Sequence, residues 1–257
     1  MKKLLNIFII SLLFSASSLF AKSGIEIGIF VPIGMGIGLN DYSLTNKNAT
    51  KQQTNDFEAA VKQANRRSGV GFDSGVLFHI GYRFEINKDM SVSVLGELGY
   101  SHDEFSFYRN SSDKNYKNTY TYMFENLALG IYPKFNWKKF SFGLNLGMKI
   151  PLYAKSISAY RDYNTETINR NIEHYNASQM KEIFNTPLMA YLRLSVDYSI
   201  YTDKKFALVL GGYIGGNFGM SLKSPLINNQ TIAKMTKQTI SSFDIGFQVG
   251  VKILPNN

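Results

Sequence analysis

The sequence predicts an all-β protein, an antiparallel up-and-down barrel of eight strands. Three observations predict it. Apolar residues recur at every second position through eight separate stretches, short polar turns alternate with long loops between them, and the 257 residues hold 21 Gly, 16 Tyr and 19 Phe beside 6 Pro and 1 Trp, a composition that leans towards β-structure. A hydrophobic fraction of 44% excludes a disordered chain. With no Cys, neither a disulfide framework nor a thiolate metal centre can form. Beyond the N-terminus no apolar run approaches the roughly 18 residues of a membrane-spanning helix.

The first 21 residues read as a secretory signal peptide. Lys2 and Lys3 precede an apolar run from Leu4 to Phe14, then Ser15, Ala16, Ser17 and Ser18, with a cleavage point after Ala21. The mature chain, 22–257, is then one domain exported from the cytoplasm. No Cys follows the apolar run, so an acylated N-terminus is not expected.

The strands follow in order. The first carries Ile25, Ile27, Ile29, Val31, Ile33, Met35, Ile37 and Leu39 on one face against Glu26, Gly28, Gly34, Gly36 and Gly38 on the other. The second sets Val70, Phe72, Val76, Phe78, Ile80, Tyr82 and Phe84 against Asp73, His79, Arg83 and Glu85, and the third sets Met90, Val92, Val94, Leu98 and Tyr100 against Ser91, Ser93 and Glu97. Leu127, Leu129, Ile131, Phe135 and Trp137 mark the fourth, Phe140 to Leu152 the fifth and Leu188 to Ile200 the sixth. Phe206 to Met220 and Phe243 to Ile253 complete the set. Tight polar turns at 87–89, 138–139 and 202–205 alternate with long loops at about 40–68, 109–119, 156–185 and 223–239. Four long loops at one end and three short turns at the other leave no room for βαβ crossovers. In the first loop Phe57, Ala60, Val61 and Ala64 have helical spacing, which predicts a short helix over 56–66.

Size and charge decide which face points outward. An eight-stranded lumen is just wide enough for side chains to fill, and it suits the Gly-rich face, from which only Gly96, Gly212 and Gly216 depart. The bulky Ile, Leu, Val and Phe face then points out, into lipid. Charge agrees: Glu26, Asp73, Arg83, Glu85, Glu97, Lys134, Lys149, Arg193, Asp197, Asp244 and Lys252 all share the Gly face, and an ion on the lipid face costs about 2 to 4 kcal/mol at the midplane. Glu104 and Glu125 have the other parity, which places them above the membrane or beside a bulge. The competing arrangement is a soluble lipocalin-like binding protein with its apolar face inward.

On these strands, loops and turns, and on the aromatic strand ends Tyr132, Trp137, Phe140, Tyr153, Tyr198 and Phe206, the mature chain resembles the eight-stranded outer-membrane barrels of bacteria, the transmembrane domains of the outer membrane protein A and X type. The resemblance implies an outer-membrane location, extracellular loops, periplasmic turns and delivery to the outer-membrane assembly machinery. The family's C-terminal insertion signal looks matched by Asp244, Gly246, Val249 and Val251, although the chain ends Leu254-Pro255-Asn256-Asn257 rather than on an aromatic residue. No peptidoglycan-binding domain follows, so the resemblance stops at the barrel.

Function is then sought in lumen and loops. Asp73, His79, Arg83, Glu85, Glu97, Lys134, Lys149, Arg193 and Asp197 are read as a polar network, paired and closed because unpaired buried charge is expensive, with Leu77, Tyr132, Tyr191 and Tyr213 as filling. A narrow ion pore is the alternative. Some small barrels of this class modify lipid A, which takes a hydroxyl with a base: His102 with Ser101 and Asp103 is the weak candidate, His79 is satisfied inside by Ser74, Glu97 or Arg83, and His174 stands beside Glu173 and Tyr175 in a loop. No catalytic group, metal site or cofactor is expected. The loops are basic, the last holding Lys223, Lys234 and Lys237 without an acid, which fits anionic lipid head groups or host polymers. Asn176-Ala177-Ser178 is a glycosylation acceptor pattern without meaning in a bacterial protein. Nothing points to nucleic acid. The reading is a monomeric, non-enzymatic surface barrel.

Overall fold

Alternation is realised as strands far longer than a membrane requires. The computed structural model describes residues 23–254 apart from 47, 65, 111–114, 202–204 and 228, with only the backbone of residue 110; the signal-peptide stretch lies outside the described residues. In chain order the elements are β1 (Gly24–Leu44), α1 (Lys51–Ala64), β2 (Arg67–Ser68), β3 (Val70–Glu85), β4 (Met90–Asn110), β5 (Tyr116–Trp137), β6 (Phe140–Asp162), β7 (Thr167–Asn176), α2 (Ala177–Ile183), β8 (Met189–Tyr201), β9 (Phe206–Leu222), α3 (Gln230–Lys234) and β10 (Thr236–Ile253). Eight of the strands pair antiparallel in the ring β1-β3-β4-β5-β6-β8-β9-β10, closed by β1 on β10 from Ile27↔Ile253 to Leu44↔Thr236. Closure leaves the ring without an open edge.

The outside is an apolar band. Ile29, Ile33, Phe78, Leu98, Ile131, Phe142, Leu194, Leu210 and Ile245 all stand exposed there. The band runs from Val92 to Tyr100 on β4 and from Leu127 to Trp137 on β5, close to the 9 to 11 residues of a tilted transmembrane strand. Tyr82, Trp137, Phe140 and Tyr198 rim it at the end of the short turns, and Phe72, Tyr100, Tyr153, Phe218 and Phe243 at the other. An inward apolar face, as in the soluble alternative, is not what the chain adopts.

The long loops are smaller than the sequence predicts, because the strands keep pairing beyond the band. β5 and β6 are 22 and 23 residues long and stay paired out to Tyr116↔Asp162, so 40–44, 109–110, 116–119 and 156–162 are strand. β7 then adds a further strand to β6. The helix expected over 56–66 begins earlier, at Lys51, because Thr50 and Gln53 form a capping box: Gln53 N donates to Thr50 Oγ1 at 3.2 Å and Thr50 N donates to Gln53 Oε1 at 2.9 Å. The Asn176 sequence has a structural role as well. Its side chain accepts from the backbone N–H groups of Ser178 and Gln179, both at 3.0 Å, and so starts α2.

Above the band the polarity of the two faces inverts while the alternation continues. On β4 the inward residues Glu97, Ser101 and Asp103 give way to Phe105 and Phe107; outward, Leu98 and Tyr100 give way to His102 and Glu104. Phe105, Phe107, Phe124, Ala154, Met189, Met220, Leu222 and Ile240 meet Met180 and Phe184 from the third loop in one buried cluster. Where water replaces lipid outside, the barrel is built like a soluble protein, apolar within.

Candidate functional site

The lumen below that cluster is packed with side chains in three polar levels. Nearest the short turns, Lys134 Nζ donates to Glu26 Oε1 at 2.5 Å, Ser93 Oγ donates to Glu26 Oε2 at 2.7 Å, and Asn136 links Ser93 to Ser141. At mid-height Glu97 accepts from His79 at 2.7 Å and from Asn145 and Tyr191. His79 lies between the rings of Phe30 and Tyr132, with centroids 4.9 and 4.8 Å away. Tyr132 and Gln248 both donate to Asp197, at 3.0 and 2.6 Å. Towards the outer end Asp103 gathers Lys149 at 2.6 Å, Ser101 at 2.8 Å and Asn126 at 2.7 Å, and Asn217 donates to Asp244 at 2.7 Å.

The glycines of the inner face make room for the large residues. A Cβ at Gly143 would overlap the Tyr132 ring, and Gly130 and Gly147 stand in the same way against Tyr191, Gly28 and Gly250 against Phe30, and Gly34 and Gly246 against Tyr213. Tyr132, expected both as lumen filling and as an aromatic strand end, is wholly inside, with 0% exposure. The lumen is a packed core of rings and ion pairs.

Of the residues expected in the network, His79, Glu97, Lys134, Lys149 and Asp197 are joined within it. Asp73 is buried and accepts from the Glu104 backbone N–H at 3.0 Å. Arg193 lies over the Tyr213 ring at 4.4 Å, and one guanidinium nitrogen of each of Arg83 and Arg193 is buried without a hydrogen-bond partner among the described residues. Glu85 stands half-buried at the turn end, where its backbone N–H reaches Ser23 Oγ at 3.3 Å, and among the described residues its carboxylate is not joined to the network. Of the insertion-signal residues, Asp244 and Gly246 face the lumen, and Val249 and Val251 face out. The network's key carboxylates, Glu26 and Asp103, were missed as partners. Both have lumen parity, the signal that would have found them.

The Ser101, His102, Asp103 group is split by the pleat. Ser101 and Asp103 are buried inside and bonded to each other, whereas His102 points out of the barrel. Its Nδ1 faces Glu125 Oε1 at 2.8 Å and its Nε2 faces Glu104 Oε1 at 3.4 Å. Burial lowers the His102 pKa, but the Glu125 and Glu104 carboxylates facing its two nitrogens raise it overall above the ordinary imidazole value, which favours the charged ring over a free base. Ser74 is the cross-strand neighbour of His102, yet the hydrogen-bond partners of His102 among the described residues are the two carboxylates. His174 bonds to the Tyr153 hydroxyl. Glu104 and Glu125 keep the outward parity and sit just beyond the band, with a register shift between Glu125 and Asn126. Among the described residues no group of three or more His, Asp or Glu has the arrangement of a metal site.

An outward apolar band, aromatic rims, charged side chains that turn into the lumen along the height of the band and a closed antiparallel ring occur together. The fold is that of an eight-stranded outer-membrane barrel. No family model and no curated protein sequence matches the chain. Solved structures that it resembles are bacterial outer-membrane proteins: the attachment invasion locus protein Ail of Yersinia pestis (11% identity, 87% of this chain and 97% of that one, TM-score 0.27), the outer membrane protease OmpT of Escherichia coli (10%, 89% and 96%, 0.36) and the outer membrane protein OprG of Pseudomonas aeruginosa (12%, 89% and 96%, 0.31).

Proposed function

We propose that the protein is a non-conducting, non-enzymatic outer-membrane barrel whose working surface is the part that projects beyond the membrane. The observation that carries this reading is the apolar cluster of Phe105, Phe107, Phe124 and Met220 with Met180 and Phe184, set across the outer mouth above three hydrogen-bonded levels. A solute would have to displace both. On this reading the projecting part, where strands end in α1, α2, α3 and the β6–β7 arm, lies outside the cell and the short turns lie in the periplasm, after export directed by residues 1–21 and insertion by the assembly machinery. Contact with host or environment is then the work of these segments.

Planar-bilayer recording tests the closed lumen. The refolded barrel gives no conductance steps above background. Frequent, stable steps from the unmutated chain would favour the ion-pore alternative and overturn this reading.

A further inference from the structure

We infer that the outward face of the β5–β6–β7 arm binds a phosphate-bearing glycolipid of the surrounding outer leaflet. The inference rests on the membrane reading above and assigns that surface a ligand. Pairing sets the face in four rows above the band: Met123, Lys155 and His174; Thr121, Ile157 and Ile172; Thr119, Ala159 and Arg170; Lys117, Arg161 and Ile168. Four permanent cations therefore share one side of the sheet. Of the acids on these strands, Asp162 and Glu173 have the opposite parity and lie on the other side, while Glu125, one row below Lys155 beside Tyr153, is engaged by His102 at 2.8 Å and by the Tyr100 hydroxyl.

The face is a binding surface by shape as well as by charge. Lys117, Arg161, Arg170, Ile157 and Ile168 line a hollow of about 410 Å³, and the one acid on its wall, Glu104, is held by the Phe72 backbone N–H at 3.0 Å and by His102 at 3.4 Å. Among the described residues none of the four cations is in an ion pair with a carboxylate. Lys117 and Arg161 lie instead over the rings of Tyr108 and Tyr163, each at 4.8 Å.

Two further features choose a lipid over a soluble anion. Ile168 and Ile172 are 47% and 44% exposed between the cations, an amphipathic mixture suited to a membrane surface. Below Lys155 the same face continues through exposed Tyr153 and, at the bulge, exposed Leu152 of the band. Height narrows the class. Lys155 to Arg161 is six residues, about 20 Å along a strand and roughly 14 Å in height at a 45° tilt, deeper than the head group of a simple phospholipid. Phosphates borne on several sugars reach that far.

The test is native mass spectrometry of the refolded full chain in zwitterionic detergent. The probes are a bisphosphorylated glycolipid with a phosphorylated core saccharide, the same lipid after enzymatic dephosphorylation, and the saccharide released from the lipid. The chain binds the phosphorylated lipid at least tenfold more tightly than either other probe. The triple variant Lys117→Gln, Arg161→Gln, Arg170→Gln binds it roughly a hundredfold more weakly, about fivefold for each charge removed. Equal binding of the dephosphorylated lipid, equal binding by the variant, or equal binding of the free saccharide each overturns the proposal. A heat-dependent gel shift in both chains, measured on the same samples, shows that the barrel stands whichever way the lipid result falls.

Discussion

Leu194→Arg lowers the stability of the vesicle-inserted barrel by about 2 to 4 kcal/mol, whereas Ile168→Arg changes it by less than about 0.5 kcal/mol. Both residues are 47% exposed on outward strand faces, so burial within the chain predicts the same small effect for each. They differ in what lies outside. Leu194 is at the middle of β8, between the outward-facing band residues Leu144 on β6 and Ile214 on β9, while Ile168 is on β7, beyond the band. Urea unfolding of the two variants in phospholipid vesicles separates the solvents. Equal, small losses would mean that the band meets water.

Glu26→Ala is the second large effect, a loss of about 3 to 5 kcal/mol in the same assay, because it leaves Lys134 charged and unpaired in the lumen. Glu26 is 1% exposed and Lys134 4%, and the two carboxylate oxygens take Lys134 and Ser93. The double variant Glu26→Gln, Lys134→Met recovers most of the loss, since it removes both charges and keeps an acceptor for Ser93. A single substitution costing less than about 1 kcal/mol would show that water reaches this level and that the lumen is looser than its packing.

The strand count and the outward face were legible because period-two alternation survives in every strand, and charge parity alone put Glu97, Lys134, Lys149 and Asp197 inside. The same signal was available for Glu26 and Asp103. Asp103 follows Ser101 and His102 in sequence and so suggests a triad with them, although adjacent residues of a strand face opposite ways. The outer cluster was less legible: Phe105, Phe107 and Phe124 follow the alternation, but outside the membrane the apolar face turns inward, and the pattern does not mark where the solvent changes. The extension of β5 and β6 and the addition of β7 have the sequence character of loop. Sequences such as Asn169 to Asn171 and Thr119 to Thr121 are polar on both faces, and strands of that kind resemble loops until their partners are known.

The most direct test of the membrane barrel is gel mobility of the mature chain, refolded in detergent, with and without boiling. A closed barrel of this kind keeps its fold in the detergent until heated, so the unheated sample runs as a distinct band that shifts on boiling. A chain with no shift, soluble and monomeric in buffer without detergent, would contradict the account.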